Sequence, residues 1–474
     1  MINKRRFILF FAFYFLILSK PALPNVIYDA AIKTLYIPNV KIGEGGVFYC
    51  SITLSKAEKS WRFKLNGKLH LCPNLPVSVI SSYHIETHTL SIPRVFVRNG
   101  ENLQSYQVEM LLLPSLEGIQ LELKSYKHLD GNPFSTLPAN RWTLLSESDE
   151  TWTRQGHSGA AFDPKRNKIY LFGSDTHSTN FDNTIHEFDL NTLKWSTHYP
   201  EAPVESYRAD EFGRAISGVD NLFPWAMHTF DNVVYDPNLD ALVVTARPNH
   251  NYKAHQVAPD ARIHPTWIYD LPARRWHILE NNDQPYPVNF AGSTAYDSHR
   301  DVIVSYSKDD GIYELGPERK QWQLATNEKH HEIHYSMEYD PDLRAFVVFG
   351  DFHGPREGVW IYYPGAQAGE PGRWEELPPQ GDTECHSDEH FPVAYSSTLK
   401  KFLLMPRDHE GKLRFACLYD ATRNTYERLP TADQVTEQNM NYMMVYSPNH
   451  DVFLLVSGSH NTPIRVWAIR ILEE

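Results

Sequence analysis

The chain has 474 residues, 42% hydrophobic and 13% aromatic, which is enough for a real core and is weighted toward sheet formers. Lys+Arg 45 against Asp+Glu 58 gives a formal net charge of −13. That balance offers no basic face for nucleic acid and mainly favours solubility.

In chain order, Lys4, Arg5 and Arg6 precede the apolar run Phe7–Leu18, followed by Ser19-Lys20-Pro21-Ala22. The run is shorter than the ~20 residues of a membrane span, so residues 1–24 are expected to be a signal peptide. The protein is then exported, to the periplasm or outside the cell, and touches a membrane only if this segment stays uncleaved. In an exported chain, Cys50 and Cys72 are expected to form a disulfide. Cys385 and Cys417 form a less secure pair, with buried free thiols as the alternative.

Residues 25–125 read as a small all-β domain containing a duplication, with repeats at 28–71 and 83–123. YDAAIKTLYIPNV from Tyr28 to Val40 is echoed by YHIETHTLSIPRV from Tyr83 to Val95. Each copy continues into alternating strands, Phe48–Leu54 and Arg62–Leu65 in the first, Tyr106–Leu111 and Ile119–Leu123 in the second. Pro38 and Pro93 belong at strand edges or bulges. The segment resembles short β modules that precede other domains in exported bacterial proteins. A linker rich in turn formers, 126–140, follows.

From 141 to 474 one pattern occurs six times: a short apolar strand, Tyr/Phe then Asp/Ser, a polar turn, and a second apolar strand. The turns begin at Asp163, Asp236, Asp297, Asp340, Ser396 and Ser447. A third strand follows each, and a fourth is marked by Trp195, Trp276, Trp322, Trp374 and Tyr426. The sixth copy has no fourth strand, but Arg141-Trp142-Thr143-Leu144-Leu145 supplies a spare one ahead of the first copy. The expected fold is therefore an all-β, six-bladed β-propeller of four-stranded blades, closed by the N-terminal strand in the last blade.

Leu171-Phe172-Gly173, His186-Glu187-Phe188-Asp189 and Trp195 resemble the kelch repeat, as do Val348-Phe349-Gly350 and Trp374. The full Gly-Gly pair is absent in every copy, so the resemblance is to a degenerate member of the galactose oxidase and kelch-like superfamily. It implies the propeller and leaves function open among oxidases, epimerases, glycan binders and interaction modules. The copper-radical oxidases of that superfamily use an adjacent Tyr-His pair. Here that pair is Tyr83-His84, outside the propeller, which argues against such chemistry.

Propeller topology places the start of the first strand and the loop after the second strand on one face. Six residues before each turn stand His157, Phe230, Ala291, His334, His390 and Asn441. Near them are His228 and Asp388, and the second-strand loops add Asp175, His177, His250, Asp351, His353, Asp408, His409 and His460. A long connection between Trp195 and His228 carries Tyr207, Arg208, Arg214 and Trp225. The arginines are candidates to hold a carboxylate, and Tyr207 or Trp225 to stack on a sugar.

These residues form the candidate binding set for a glycan or small polar ligand. His157, His334 and His390, with His228, are candidate ligands of a divalent metal. The bland alternative is that the loops are simply hydrophilic and each histidine caps a turn. Three functions stay open: a carbohydrate-binding protein, a metal-assisted or His-based lyase, epimerase or hydrolase acting on a sugar, and a scaffold for a protein partner.

Overall fold

A computed structural model describes the chain from residue 26 to 472, except for segments 43–46, 58–61, 72–80, 100–101, 114–118, 129–133, 135–136, 149–156, 178–179, 220–221, 280–286, 288, 351–357, 387–390, 407–414, 430–434, 436–442 and 459–462. The expected signal peptide lies outside the described residues. Among those described, no helix is long and apolar enough to cross a membrane. Contacts divide the chain into two units, Met1–Ala139 and Asn140–Glu474.

The first unit is a single nine-stranded sheet. Thr34–Ile42 pairs with both the hairpin strand Ile27–Asp29 and the distant Ser82–His84. In the same way Thr89–Asn99 pairs with Ser82–His84 and, in parallel, with Ile27–Asp29. The two halves thus exchange their first strands. Arg62–Leu65 against Gln120–His128 joins them again on the other side. Pro93 falls where the register shifts between Ile92 and Val95. Alternation buries Leu35, Ile37, Leu54, Leu90, Ile92 and Met110 in one core.

The second unit is a six-bladed propeller. Its first five blades are built from consecutive antiparallel strands in the order inner to outer, beginning with Gly159–Asp163, Val233–Asp236, Ser293–Asp297, Ser336–Asp340 and Val393–Ser396. The inner strand of each blade touches the next, and that of the sixth, Met444–Ser447, touches the first, so the ring closes. The outer strand of the sixth blade is Thr143–Glu147, paired with Arg465–Ile469.

This closure is clasped by Asn140. Its side chain donates to the Leu472 carbonyl (2.9 Å) and accepts from the Leu472 amide (2.8 Å). Its own amide donates to the Arg470 carbonyl, and its φ of 54° suits asparagine better than most residues. Asn140→Ala is expected to lower propeller stability by about 1–3 kcal/mol, read as a lower urea midpoint. An unchanged midpoint would show that the clasp does not hold the ring.

Repetition also fixes the turns. The carboxylate opening each Asp turn accepts backbone amides two and three residues on, as Asp163 does from Lys165 and Arg166, and Asp297 from His299 and Arg300. Four residues after the turn's opening, Asn167, Asp240, Asp301, Arg344, Lys400 and Asp451 all have positive φ. That is the geometry of a tight hairpin with a left-handed closing residue.

These turns also lock neighbouring blades together. Arg166 of blade 1 bridges Asp163 (2.7 Å) and Asp240 of blade 2 (2.5 Å). Arg319 of blade 3 grips Asp236 of blade 2 (2.6 Å) and Asp301 (2.6 Å). Lys400 of blade 5 reaches Asp342 of blade 4 (2.8 Å).

Cys385 and Cys417 are joined, tying the segment before blade 5 to that blade's third strand. With a sequence separation of 32, closing this loop stabilises by roughly 3–4 kcal/mol on chain-entropy grounds. Cys50 is disulfide-bonded as well, while Cys72 lies outside the described residues.

Candidate functional site

The positions that open each inner strand share an unusual backbone. His157, Phe230, Ala291 and His334 all have positive φ, between 48° and 71°. Each therefore turns sharply into its strand, and their peptides bond from blade to blade. The His157 carbonyl accepts from the Phe230 amide (2.8 Å), and the Ala291 carbonyl from the His334 amide (2.9 Å). A non-glycine residue pays for this conformation, which makes these sites over-determined by their surroundings. His390 and Asn441 stand at the matching positions but lie outside the described residues.

Above this ring, between blades 1 and 2, four imidazoles converge. His157 and His228 stack with centroids 4.2 Å apart and planes 11° apart. His177 meets His157 edge-on at 5.5 Å and His228 at 4.7 Å. His250 lies 4.4 Å from His177 and 5.3 Å from His228. One ligand nitrogen from each of His157, His177 and His228 lies within 4.8 Å of the others. Phe230 and Phe290 form an apolar floor, packed against His157, His228 and His250.

Local sequence explains the convergence. Gly173 ends the second strand of blade 1 at φ 122°, where a Cβ would collide with the Thr229 hydroxyl. The chain then turns through Ser174-Asp175-Thr176-His177. The Asp175 carboxylate accepts the His177 amide at 3.1 Å and so fixes that turn. The Thr176 amide donates to His228 Nε2 at 3.3 Å, and Asp175 Oδ1 stands 3.7 Å from the same nitrogen. Accepting the Thr176 amide needs the Nε2 lone pair and puts the ring proton on Nδ1, whereas the tautomer protonated on Nε2 turns that proton toward Asp175 and frees Nδ1 as a ligand atom.

The electrostatics favour neutral imidazoles. Burial first, then the charge of His228, pushes the His157 pKa down to about 2. Burial, followed by His177 and His228, brings His250 down to about 4. Burial lowers His228 too. For Asp175, burial would raise the pKa, but the nearby His228 imidazole and the His177 amide outweigh it and hold the carboxyl low. Near neutral pH His157, His228 and His250 are thus uncharged imidazoles beside a carboxylate, with lone pairs to offer. The Nδ1 atoms of both His157 and His228 are buried and make no hydrogen bond with any described residue, and the same holds for the hydroxyls of Ser174 and Thr176. A buried polar atom without a partner is costly, so four in one place call for an explanation.

Other expected site residues fall elsewhere. His334 is buried across the Phe230 ring (5.0 Å) and stands outside the trio. Trp225 is fully buried, and its indole donates to the Ile216 carbonyl at 2.8 Å, so it cannot stack on a sugar. Tyr207 is buried beside it, with ring centroids 5.5 Å apart. Both belong to a small core formed where the long connection packs on residues 254–261.

Arg214 is held by Asp210 (2.5 Å), and Arg208 donates to the Ser206 and Gly218 carbonyls, so neither waits for a ligand carboxylate. The exposed aromatic beside the histidines is Tyr252, whose hydroxyl lies 3.2 Å from His250 Nδ1. Asp351, His353, Asp388, Asp408, His409 and His460 lie outside the described residues.

Two carboxyls along the inner strands were not anticipated. Asp231 accepts from the Ser293 hydroxyl and from the Met337 amide (3.0 Å), so one side chain joins blades 2, 3 and 4. Glu338 occupies a register that holds Ala161, Val234, Ala295, Ala394 and Val445 in the other blades. Burial pushes Asp231 up to about 7, and burial together with the Asp231 charge holds Glu338 well above the usual carboxylate range.

A carboxyl with a raised folded pKa contributes stability that is complete below its unfolded value and is lost as pH rises through the folded one. Stability should therefore fall between pH 4 and 7, by at most about 1.4 kcal/mol per pH unit for Asp231. Melting curves from pH 5 to 8 check this. Asp231→Asn should flatten the decline, whereas parallel curves for the two proteins would refute the assignment.

No family model matches the chain, and no curated protein does either. Among solved structures, a structural-genomics protein of unknown function from Bacteroides thetaiotaomicron aligns at 8% sequence identity over 93% of this chain and 99% of that one, with a TM-score of 0.40. The propeller assignment rests on the strand pairing described above.

Proposed function

We propose that this propeller binds a divalent transition metal through His157, His177 and His228, and uses the ion to hold a polar, oxygen-rich ligand of carbohydrate type. The carrying observation is the approach of three imidazole nitrogens to within 4.8 Å, with two buried Nδ1 atoms unpartnered. A zinc–nitrogen bond is about 2.0–2.1 Å, so small side-chain rotations would bring the three onto one ion. Nitrogen ligands of this kind suit Zn, Cu, Fe or Ni better than Ca, Mg or Mn. Asp175 would orient His228 from behind, and His177, on the exposed side, would leave the coordination sphere open to a ligand. Tyr252, exposed beside His250, supplies an apolar face for a sugar ring.

Export and a degenerate kelch ancestry belong to the same proposal. The disulfide is compatible with an oxidising compartment, and Gly173 sits where a kelch blade ends its second strand. A second reading, catalysis on the bound sugar, is favoured by the open side of the ion and by His250, a neutral imidazole near it that could accept a proton.

The test is a glycan array probed with metal-loaded and chelator-stripped protein. Binding that requires the metal supports the reading. Equal binding by both preparations, or no bound glycan, overturns it.

A further inference from the structure

Three arginines packed into the turns of the propeller follow a rule. Arg166 holds Asp163 and Asp240, Arg300 holds Asp297 and Glu314, and Arg319 holds Asp236 and Asp301. Arg247 breaks it. It is half-buried, yet its guanidinium forms no ion pair or hydrogen bond with any described residue, and its Nε is fully enclosed without a partner.

Its surroundings are basic. His264, whose Nδ1 is also buried and unpartnered, feels the charge of Arg247 and of His255. The His255 ring lies 5.8 Å from His264. Burial and these two neighbours bring His264 down to about 4. A half-buried cation beside imidazoles, with no carboxylate among the described residues, is an incomplete arrangement, because burying an uncompensated charge is expensive.

One loop links this cluster to the histidine trio. Arg247-Pro248-Asn249-His250 is a tight turn, with the Asn249 amide donating to the Arg247 carbonyl (2.9 Å) and His255 Nε2 lying 3.1 Å from the Pro248 carbonyl. Three residues of chain span at most ~11 Å, so Arg247 stands within about one sugar ring plus a side chain of His250.

We propose that Arg247, with His264 and His255, forms an oxyanion pocket that receives a carboxylate or sulfate group of the sugar ligand. The proposal names the ligand class, acidic carbohydrate, for the site above, and it rests on that reading only for where the rest of the sugar lies. The planar guanidinium fork matches either oxyanion in a bidentate fashion. The imidazoles add donors when the anion enters. The carboxylate of a uronic acid and a sulfate ester present the same chemistry to this pocket.

Titration calorimetry of the metal-loaded full chain with glucuronate, glucose 6-sulfate and glucose tests it. A charge-assisted hydrogen bond is worth enough for roughly 10–100-fold in affinity. One or both charged sugars should therefore bind at least 10-fold tighter than glucose, and whichever does identifies the anion. Arg247→Gln should remove that preference, and Arg247→Lys should restore part of it. His264→Gln, which leaves the loop's arginine in place, should weaken it.

Metal content should be unchanged in every variant. If the preference survives in Arg247→Gln, or the charged sugars bind no better than glucose, the pocket is refuted. If the protein holds no metal yet shows an Arg247-dependent preference, the metal reading fails and the oxyanion pocket stands.

Discussion

His228→Ala should abolish stoichiometric binding of a divalent transition metal, whereas Asp175→Asn should weaken it about 10–100-fold. The two differ because His228 supplies a ligand atom and Asp175 only orients it. His228 is 2% exposed and touches every member of the cluster, stacked on His157 at 4.2 Å and set against His177 and His250. His177 is exposed and less constrained, so His177→Ala should cost less than His228→Ala.

Competition with a chromophoric chelator measures all three, and circular dichroism confirms that each variant is folded. Metal binding also stabilises the fold it selects, by about 4 kcal/mol at a thousandfold excess over the dissociation constant. Wild type should therefore melt higher with metal than without, and His228→Ala should melt the same in both. Equal affinities across wild type and the three variants would remove the site.

The second large effect lies on the opposite face. Arg319 and Asp236 are 3% and 0% exposed and 2.6 Å apart, and they join blades 2 and 3. Removing Arg319 strands the Asp236 carboxylate as a buried charge, at a cost of about 3–5 kcal/mol, whereas removing the Asp236 charge leaves Arg319 its second partner, Asp301, and costs less. Arg319→Met should thus lower the urea midpoint strongly, and Asp236→Asn, which keeps an acceptor for the turn amides, should lower it less. The double variant should recover much of the loss, since two neutral residues leave no stranded charge. A single variant that unfolds like wild type would show that the pair contributes no net stability.

The propeller was legible in the sequence because its physics repeats. Each blade needs the same Asx-closed hairpin, so Asp163, Asp236, Asp297 and Asp340 recur in register, and the surplus strand before the first blade has one place to go. The face was legible for the same reason, since a strand's first residue and the next loop must lie together. Which histidines meet was not. His334 shares the register and backbone of His157, but the Phe230 ring stands between them. His177 joins instead because Asp175 and Gly173 shape its loop, and that depends on side-chain packing.

Trp225 misled because an aromatic in a long connection reads equally as a ligand platform or a local core, and here the connection builds its own core with Ala254, Ala258 and Ala261. Arg247 carried no pattern, since its distinction is the absence of a carboxylate that only three dimensions reveal. Glu338 could have been found, because aligning the six inner strands exposes it as an acid among Ala161, Val234, Ala295, Ala394 and Val445.

The most direct measurement is the elemental content of the purified propeller after dialysis against trace divalent metals. We expect one equivalent of a nitrogen-favouring transition metal per chain, lost when His157, His177 and His228 are replaced together by alanine. A wild-type protein that retains no metal, or a triple variant that retains the full equivalent, would contradict the account.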